Sequence, residues 1–394
     1  MVCSIWPYVL HYFIAALVKV RIIEKRKHID LSETEKITRL LIVGPDGLGD
    51  CVLFSPALRY IREKYKKQHI TILTRSGVKE YLLTCPYVDQ VIACDQKMLA
   101  VSRILRDIKF IRSLRNERFD CVINALWMPT EISGFLTYIT GAPIRIGCVY
   151  YQPLLARMKT GVLFTHCLEI QEQKHVLEYS RALLQCLDIH PDPNEYRPEV
   201  WSTLDDRTFA ADFTTRVLAK SKCLVAISPV AGSPVRLWPA KYYAAVADYC
   251  MSRYQAMVVI LGGASDVGIA AQIVEAMEQT PLNLAGRATF AQTGEILKRS
   301  HLFVGNDSGP MHLAAAAGVP VIALFSSGNY VHYAPYGQGH QIVRQDLPCY
   351  PCDGICVFQE PVCLTTITPD EVIRRIGRVL DLGPTRVSTS FHLL

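Results

Sequence analysis

The run from Val304 to Phe325, VGNDSGPMHLAAAAGVPVIALF, sets Asn, Asp, Ser, Gly, Pro and His between an apolar segment and a string of small residues. Asp307 or Ser308 can cap the helix that follows. Gly309 lets backbone approach a ligand, and Pro310 suits a first turn because the N–H it lacks has no helical partner there anyway. A helix opening in this way presents unpaired N–H groups and about half a positive charge, which together make an anion site. Ala314 to Ala317 allow the helix to lie close on a sheet, and His312 in its first turn faces either ligand or core. The same residues also describe an ordinary capped helix, so the rest of the chain has to decide.

A second group is CYPCDGICVFQEPVC, which spaces Cys349, Cys352, Cys356 and Cys363 as C-x2-C-x3-C-x6-C. Four thiolates this close can hold a structural zinc ion or an iron–sulfur cluster, or stay as reduced thiols. The other ten of the 14 cysteines are scattered singly through apolar segments, as small buried hydrophobes are. That is no secreted disulfide framework, and it suits a cytoplasmic protein.

The elements that must position these residues are legible from periodicity. A chain of 394 residues, half of them hydrophobic, suits two globular domains. A net charge of +6 fits anionic substrates or an anionic membrane surface, and no motif for nucleic-acid binding accompanies it. TRLLIVG, HITILTR, VDQVIAC and FDCVINAL read as strands. Helical spacing separates them in DCVLFSPALRYIREKYKK, VKEYLLTC and VSRILRDIKFIRSLRNE. After the polar, Pro-rich DIHPDPNEYRPEVW, the alternation resumes with CLVAISP, AMVVILGG, HLFVGN and VPVIALF as strands. The last helix, TPDEVIRRIGRVLDL, has Thr368 as its cap and Pro369 in its first turn. Repeated βαβ units mean parallel sheets, with ligands at the carboxyl ends of the strands. The expected division is an N-terminal segment 1–36, a Rossmann-like domain 37–190, a linker 191–203, a second Rossmann-like domain 204–366, and a final helix and tail 367–394. Segment 1–36 is apolar with Trp6, Tyr8 and Tyr12, then basic with Lys19, Arg21, Lys25, Arg26 and Lys27. It suits a helix lying on the anionic inner face of the cytoplasmic membrane, or one packed on the protein body.

LLIVGPDGLGDCVLFSPALRYIREKY followed by the Val304–Phe325 run resembles glycosyltransferase family 9, the heptosyltransferases. The family's Gly-Asp pair and helix proline fall on Gly49, Asp50 and Pro56. Its Asp-Thr/Ser-Gly-x-x-His-x-x-Ala-Ala run falls on Asp307, Ser308, Gly309, His312, Ala315 and Ala316. RIG at 145–147, KHVLEY at 174–179, SPVAGSPVRLWP at 228–239 and ILGGASD at 260–266 follow in the family's order. The resemblance implies the GT-B fold, two facing Rossmann-like domains, with a nucleotide-sugar donor in the C-terminal domain, an acceptor in the N-terminal one, and no catalytic metal.

Site residues follow from that implication. Asp50 would be the general base that takes the acceptor hydroxyl's proton, with Asp46 a lesser alternative and helix capping the competing role. Donor contacts fall to Asp307, Ser308, Gly309, Pro310, Met311 and His312. Arg236 joins them; its guanidinium, where many members carry Lys, can meet phosphate oxygens in two places. Ser265 or Asp266 would accept from ribose hydroxyls. Gly49, Arg75 and Arg145, the two arginines read as following strands, would contact the acceptor. The expected protein is an inverting, metal-independent transferase, cytoplasmic and peripheral on the inner membrane face, moving heptose from ADP-heptose to a lipopolysaccharide-core or related lipid-linked saccharide. The rivals are a transferase using a UDP- or GDP-sugar and a non-catalytic nucleotide-sugar or NAD binding module. The second of these is disfavoured by glycine spacing that departs from G-x-G-x-x-G and by the lack of an acid at the end of HITILTR.

Overall fold

The computed structural model describes residues 36–94, 104–127, 129–150, 163–170, 173–233, 236–326, 330–349, 356, 358 and 361–381. The expected N-terminal membrane helix lies outside them. Among the described residues no helix is long and apolar enough to cross a membrane. The chain divides into two compact units between Tyr196 and Arg197.

The first unit runs β1 (Arg39–Val43), α1 (Leu48–Lys64), β2 (His69–Arg75), β3 (Gln90–Cys94), α2 (Ile104–Asn116), β4 (Cys121–Asn124), α3 (Glu131–Ile139), β5 (Ile144–Tyr150), β6 (His166–Ile170) and α4 (Val176–Gln185). Its six strands lie in the order β3-β2-β1-β4-β5-β6, every pair parallel. Leu40, Leu41, Ile42, Ile70 and Ile72 are fully buried, as strands covered on both faces require.

The second unit runs α5 (Leu204–Leu218), β7 (Cys223–Ser228), α6 (Ala240–Tyr254), β8 (Ala256–Ile260), α7 (Val267–Ala276), β9 (Leu282–Asn283), α8 (Phe290–Leu297), β10 (Leu302–Asn306), α9 (Gly309–Ala316), β11 (Val321–Leu324), β12 (Gln341–Val343) and α10 (Pro369–Leu380). The order is β12-β11-β10-β7-β8-β9, again wholly parallel. Counted from its own first strand this is the same order as in the first unit. Each unit is a Rossmann-type sheet that reverses direction once, beside β1 and β4 in one and beside β7 and β10 in the other.

Local chemistry sets several boundaries. Thr368 caps α10 through its Oγ1, which accepts from the Glu371 N–H at 3.3 Å, as the sequence indicates. Thr203 and Asp206 close a reciprocal capping box on α5. Trp238 is fully buried and donates its Nε1–H to the Ile367 carbonyl at 2.9 Å. This bond fastens the loop after β7 to the segment that precedes α10. Gly305, in the middle of the sheet, has no room for a side chain: a Cβ there would sit 2.8 Å from the Phe303 ring and 2.8 Å from the Ser228 carbonyl of the paired strand. Gly305→Ala should therefore cost about 1–3 kcal/mol of stability. Thermal and urea melts of the purified variant measure it.

Candidate active site

Where a sheet order reverses, the two adjoining strand-to-helix connections leave toward opposite faces and open a crevice at the carboxyl ends. The motifs lie there in both units.

In the first unit the crevice is bounded by the loops after β1 and β4. The chain leaves β1 through Gly44, whose φ of +79° an L side chain would resist. A Cβ at Gly44 would come within 3.2 Å of Leu126, so the two loops are in close contact. The Thr74 hydroxyl donates to the Pro45 carbonyl and fixes the turn against β2. Gly49 and Asp50 then fall in the first turn of α1. Asp50 accepts the Gly47 N–H at 3.1 Å through Oδ2, so it caps its helix and still carries a second carboxylate oxygen. Burial pushes its pKa up to about 6, and the neighbouring Asp46 adds to the rise. The Gly47 hydrogen bond and the Arg75 cation oppose it. Arg75 ends β2 and is exposed, with Nε 3.3 Å from Asp46 Oδ2. Trp127, after β4, stacks on Tyr179 of α4 with centroids 5.6 Å apart and planes at 17°.

Arg145 requires a correction. It lies inside β5, not after a strand, and is only 9% exposed. Its guanidinium donates to the Leu163 carbonyl at 2.9 Å and the Ala142 carbonyl at 2.6 Å, beside the Tyr138 ring. A cation held in this way supports the sheet and is not available to an acceptor.

In the second unit the crevice lies after β7 and β10. Ser308 occupies the cap position of α9, but its hydroxyl donates to the Asn306 carbonyl at 3.2 Å and does not cap. The Met311 N–H bonds the Ser308 carbonyl at 3.1 Å, and Pro310 has no N–H. The donors left at the helix start are the Ser308 and Gly309 amides. Met311 is a second correction: its side chain is wholly buried and belongs to the core. His312 is 4% exposed, its ring 6.2 Å from that of Tyr333. Burial pushes the Asp307 carboxyl up to about 6, against the pull of the Arg236 cation. Arg236 is half-buried, and its Nε has no partner. After β8, Ser265 is exposed, while Asp266 folds over Gly262 and accepts the Gly263 N–H at 2.8 Å through Oδ2.

Two residues the sequence reading passed over stand at the same crevice. Asn306, 1% exposed, has neither Oδ1 nor Nδ2 bonded, and Ser228, at the end of β7, is fully buried with its Oγ unpartnered. The signal available was a polar residue at the carboxyl end of an otherwise apolar strand, in LFVGN and LVAIS. Buried polar groups without partners are rare enough to mark a site.

The cysteine group is only partly described. Cys352 lies outside the described residues; Cys349, Cys356 and Cys363 are partly buried. Among the described residues no three metal-ligating side chains gather.

One unit thus offers a proton acceptor at its crevice, and the other offers amides, a guanidinium and unpartnered hydrogen-bonding groups suited to an anion. Two parallel sheets of this kind in tandem are the architecture of the GT-B class. The profile of glycosyltransferase family 9 (heptosyltransferase) matches residues 108–360, well over half the chain, and the chain belongs to that family. It is a glycosyltransferase. The match begins after Asp50, so the reading of Asp50 stands on its geometry alone. The chain is 26% identical over 297 residues to lipopolysaccharide heptosyltransferase 3 of Escherichia coli K12, spanning 73% of this chain and 82% of that one. Among solved structures, the Escherichia coli ADP-heptose lipopolysaccharide heptosyltransferase II superposes with a TM-score of 0.67 at 21% identity, over 87% of this chain and 99% of that one. A family 9 transferase from Veillonella parvula gives 0.70 at 22%, over 91% and 100%.

The raised carboxyl has a definite sign in both activity and stability. A carboxylate that serves as a base works ionised, so if Asp50 has that role kcat/KM should fall as pH drops through about 6. Arg75→Gln, which removes a cation that favours ionisation, should move that limb to higher pH. The folded state holds this proton more tightly than the unfolded chain, whose carboxyl titrates near 3.8. The stabilisation is therefore complete below 3.8 and lost as pH rises through about 6. Asp50→Asn should accordingly raise stability at pH 8, by on the order of 3 kcal/mol at most. The gain should vanish below pH 4, as melts across the range would show.

Proposed function

We propose that this chain transfers heptose from ADP-heptose to a saccharide of the lipopolysaccharide core, with inversion at the anomeric carbon. The observation that carries the reading is the division of chemistry between the two crevices: a carboxylate with a pKa near 6 in one and anion-binding groups in the other. The acceptor hydroxyl oxygen attacks the anomeric carbon from the face opposite the leaving group, and its proton passes to Asp50. The bond from the anomeric carbon to the diphosphate oxygen breaks as the new one forms, and ADP departs with the electron pair. Attack from the opposite face inverts the configuration. The charge on the departing diphosphate is met by the Ser308 and Gly309 amides and by Arg236, so the donor set itself supplies the electrostatic stabilisation without a catalytic metal. Asp307, held partly protonated by burial, suits a hydrogen bond to a donor hydroxyl. Ser265 or the second oxygen of Asp266 suits the ribose.

The choice of heptose, ADP and a core saccharide is supported by the names of the relatives. The basic run from Lys19 to Lys27 supports work at the inner face of the cytoplasmic membrane, where a lipid-linked acceptor would lie. The four late cysteines are proposed as a structural metal site, which elemental analysis of the purified protein would confirm or remove.

Incubating the protein with a core saccharide and, in turn, ADP-heptose, UDP-sugars and GDP-sugars tests the donor. Turnover with ADP-heptose is expected, and turnover confined to another nucleotide sugar would overturn that assignment. Asp50→Asn should lower kcat by about 10²-fold or more while nucleotide binding persists. Undiminished turnover would remove Asp50 from the mechanism.

A further inference from the structure

Asn306 closes β10, and strand alternation sets its side chain on the face of Leu302 and Val304. That face belongs to the core containing Ile227, Leu324 and Trp238. A carboxamide there, with both polar atoms unbonded, is a standing cost to the fold. Leucine has the same branched outline, with bulkier methyl groups, and would carry no such penalty. Two residues before Trp238, in the loop that Trp238 fastens down, Arg236 has a buried Nε that is likewise without a partner. Its charge also reaches Asp307, the next residue after Asn306. The two unbonded groups are complementary: Nε–H donates and Oδ1 accepts.

We infer that Asn306 is a positioning residue for the donor's diphosphate. When a nucleoside diphosphate binds, Arg236 turns its terminal N–H groups to the phosphates, and Asn306 Oδ1 takes the Nε–H and holds the guanidinium in that orientation. The free protein bears the unpaired carboxamide, and the bound protein uses it. A guanidinium held at three nitrogens presents its fork in one direction, which an arginine anchored by its stem alone does not. The inference rests on the donor half-site proposed above and adds a residue to it.

The test uses full-length native protein, Asn306→Leu, Asn306→Ala, Asn306→Asp and Arg236→Leu, with melting followed in the absence and presence of saturating ADP and steady-state kinetics on both substrates. Asn306→Leu should melt at or above the native temperature without nucleotide. It should lose more than half of the ADP-induced shift and raise the donor KM about tenfold with the acceptor KM unchanged. Asn306→Asp, which keeps the acceptor oxygen, should recover part of the donor affinity. Combining Asn306→Leu with Arg236→Leu should add little to Arg236→Leu alone, because one interaction is being removed twice. An unaltered ADP shift in both Asn306→Leu and Asn306→Ala overturns the inference, and so does full additivity in the double variant, even if the single variants melt early. Failure of the underlying reading looks different. Native protein stabilised by UDP or GDP and not by ADP changes the nucleotide, and the same comparison is then made with that one. Native protein stabilised by none of the three removes the donor half-site and this inference with it.

Discussion

Each sheet can be ordered this way only if one strand has neighbours whose connections depart to opposite sides. In this chain those places fall beside β1 and β4 and beside β7 and β10. Everything functional depends on that constraint. Elsewhere along a parallel sheet the connecting helices cover the strand ends, while at the reversal they part and leave backbone and polar side chains open to a ligand. Asp50 and Asp307 are brought to such ends by strands whose interior residues have no polar task.

The charged and polar residues of the interior sort into two kinds. Arg145 is held by two carbonyls, and Glu295, 2% exposed, is held by Lys298, Arg299 and Ser202. Those partners keep the Glu295 carboxyl below its usual range in spite of burial. Such groups brace the scaffold. Asn306, Ser228 and Arg236 Nε are left without partners among the described residues, and burial raises the carboxyls of Asp50 and Asp307 to about 6. These lie at the crevice of a reversal, while other buried polar atoms without a partner among the described residues, the Tyr243 hydroxyl and the Nε of Arg39 and Arg375, lie away from one, so a missing partner marks a site only together with its place in the sheet.

The strands of HITILTR and VDQVIAC and the capped helix after Thr368 were legible because their apolar period and end signals agree locally. β5 and β6 were not, since IRIGCVY and HCLEI carry Arg, Gly, His and Glu among too few apolar positions. What makes Arg145 a strand residue is its pairing with Val122 of β4, far away in sequence, and no local pattern encodes that. The same limit explains the site. Arg236 and Asp307 in loops and Asp50 in the first turn of a helix sit in segments whose composition announces them, and the structure sets each at a reversal. Asn306 and Ser228 read as strand ends, and only the lack of any partner in three dimensions separates them from ordinary buried polar residues. Met311 failed in the other direction: it belongs to the motif that opens the helix, and its side chain is wholly buried in the core.

The Trp238–Ile367 hydrogen bond joins positions 129 residues apart. Because of it, the loop bearing Arg236 takes its shape partly from the stretch just ahead of the closing helix. A chimera that drew the loop after β7 from one relative and its final helix from another would have to bring matching halves of this clasp, or Arg236 would shift while both sheets stayed intact.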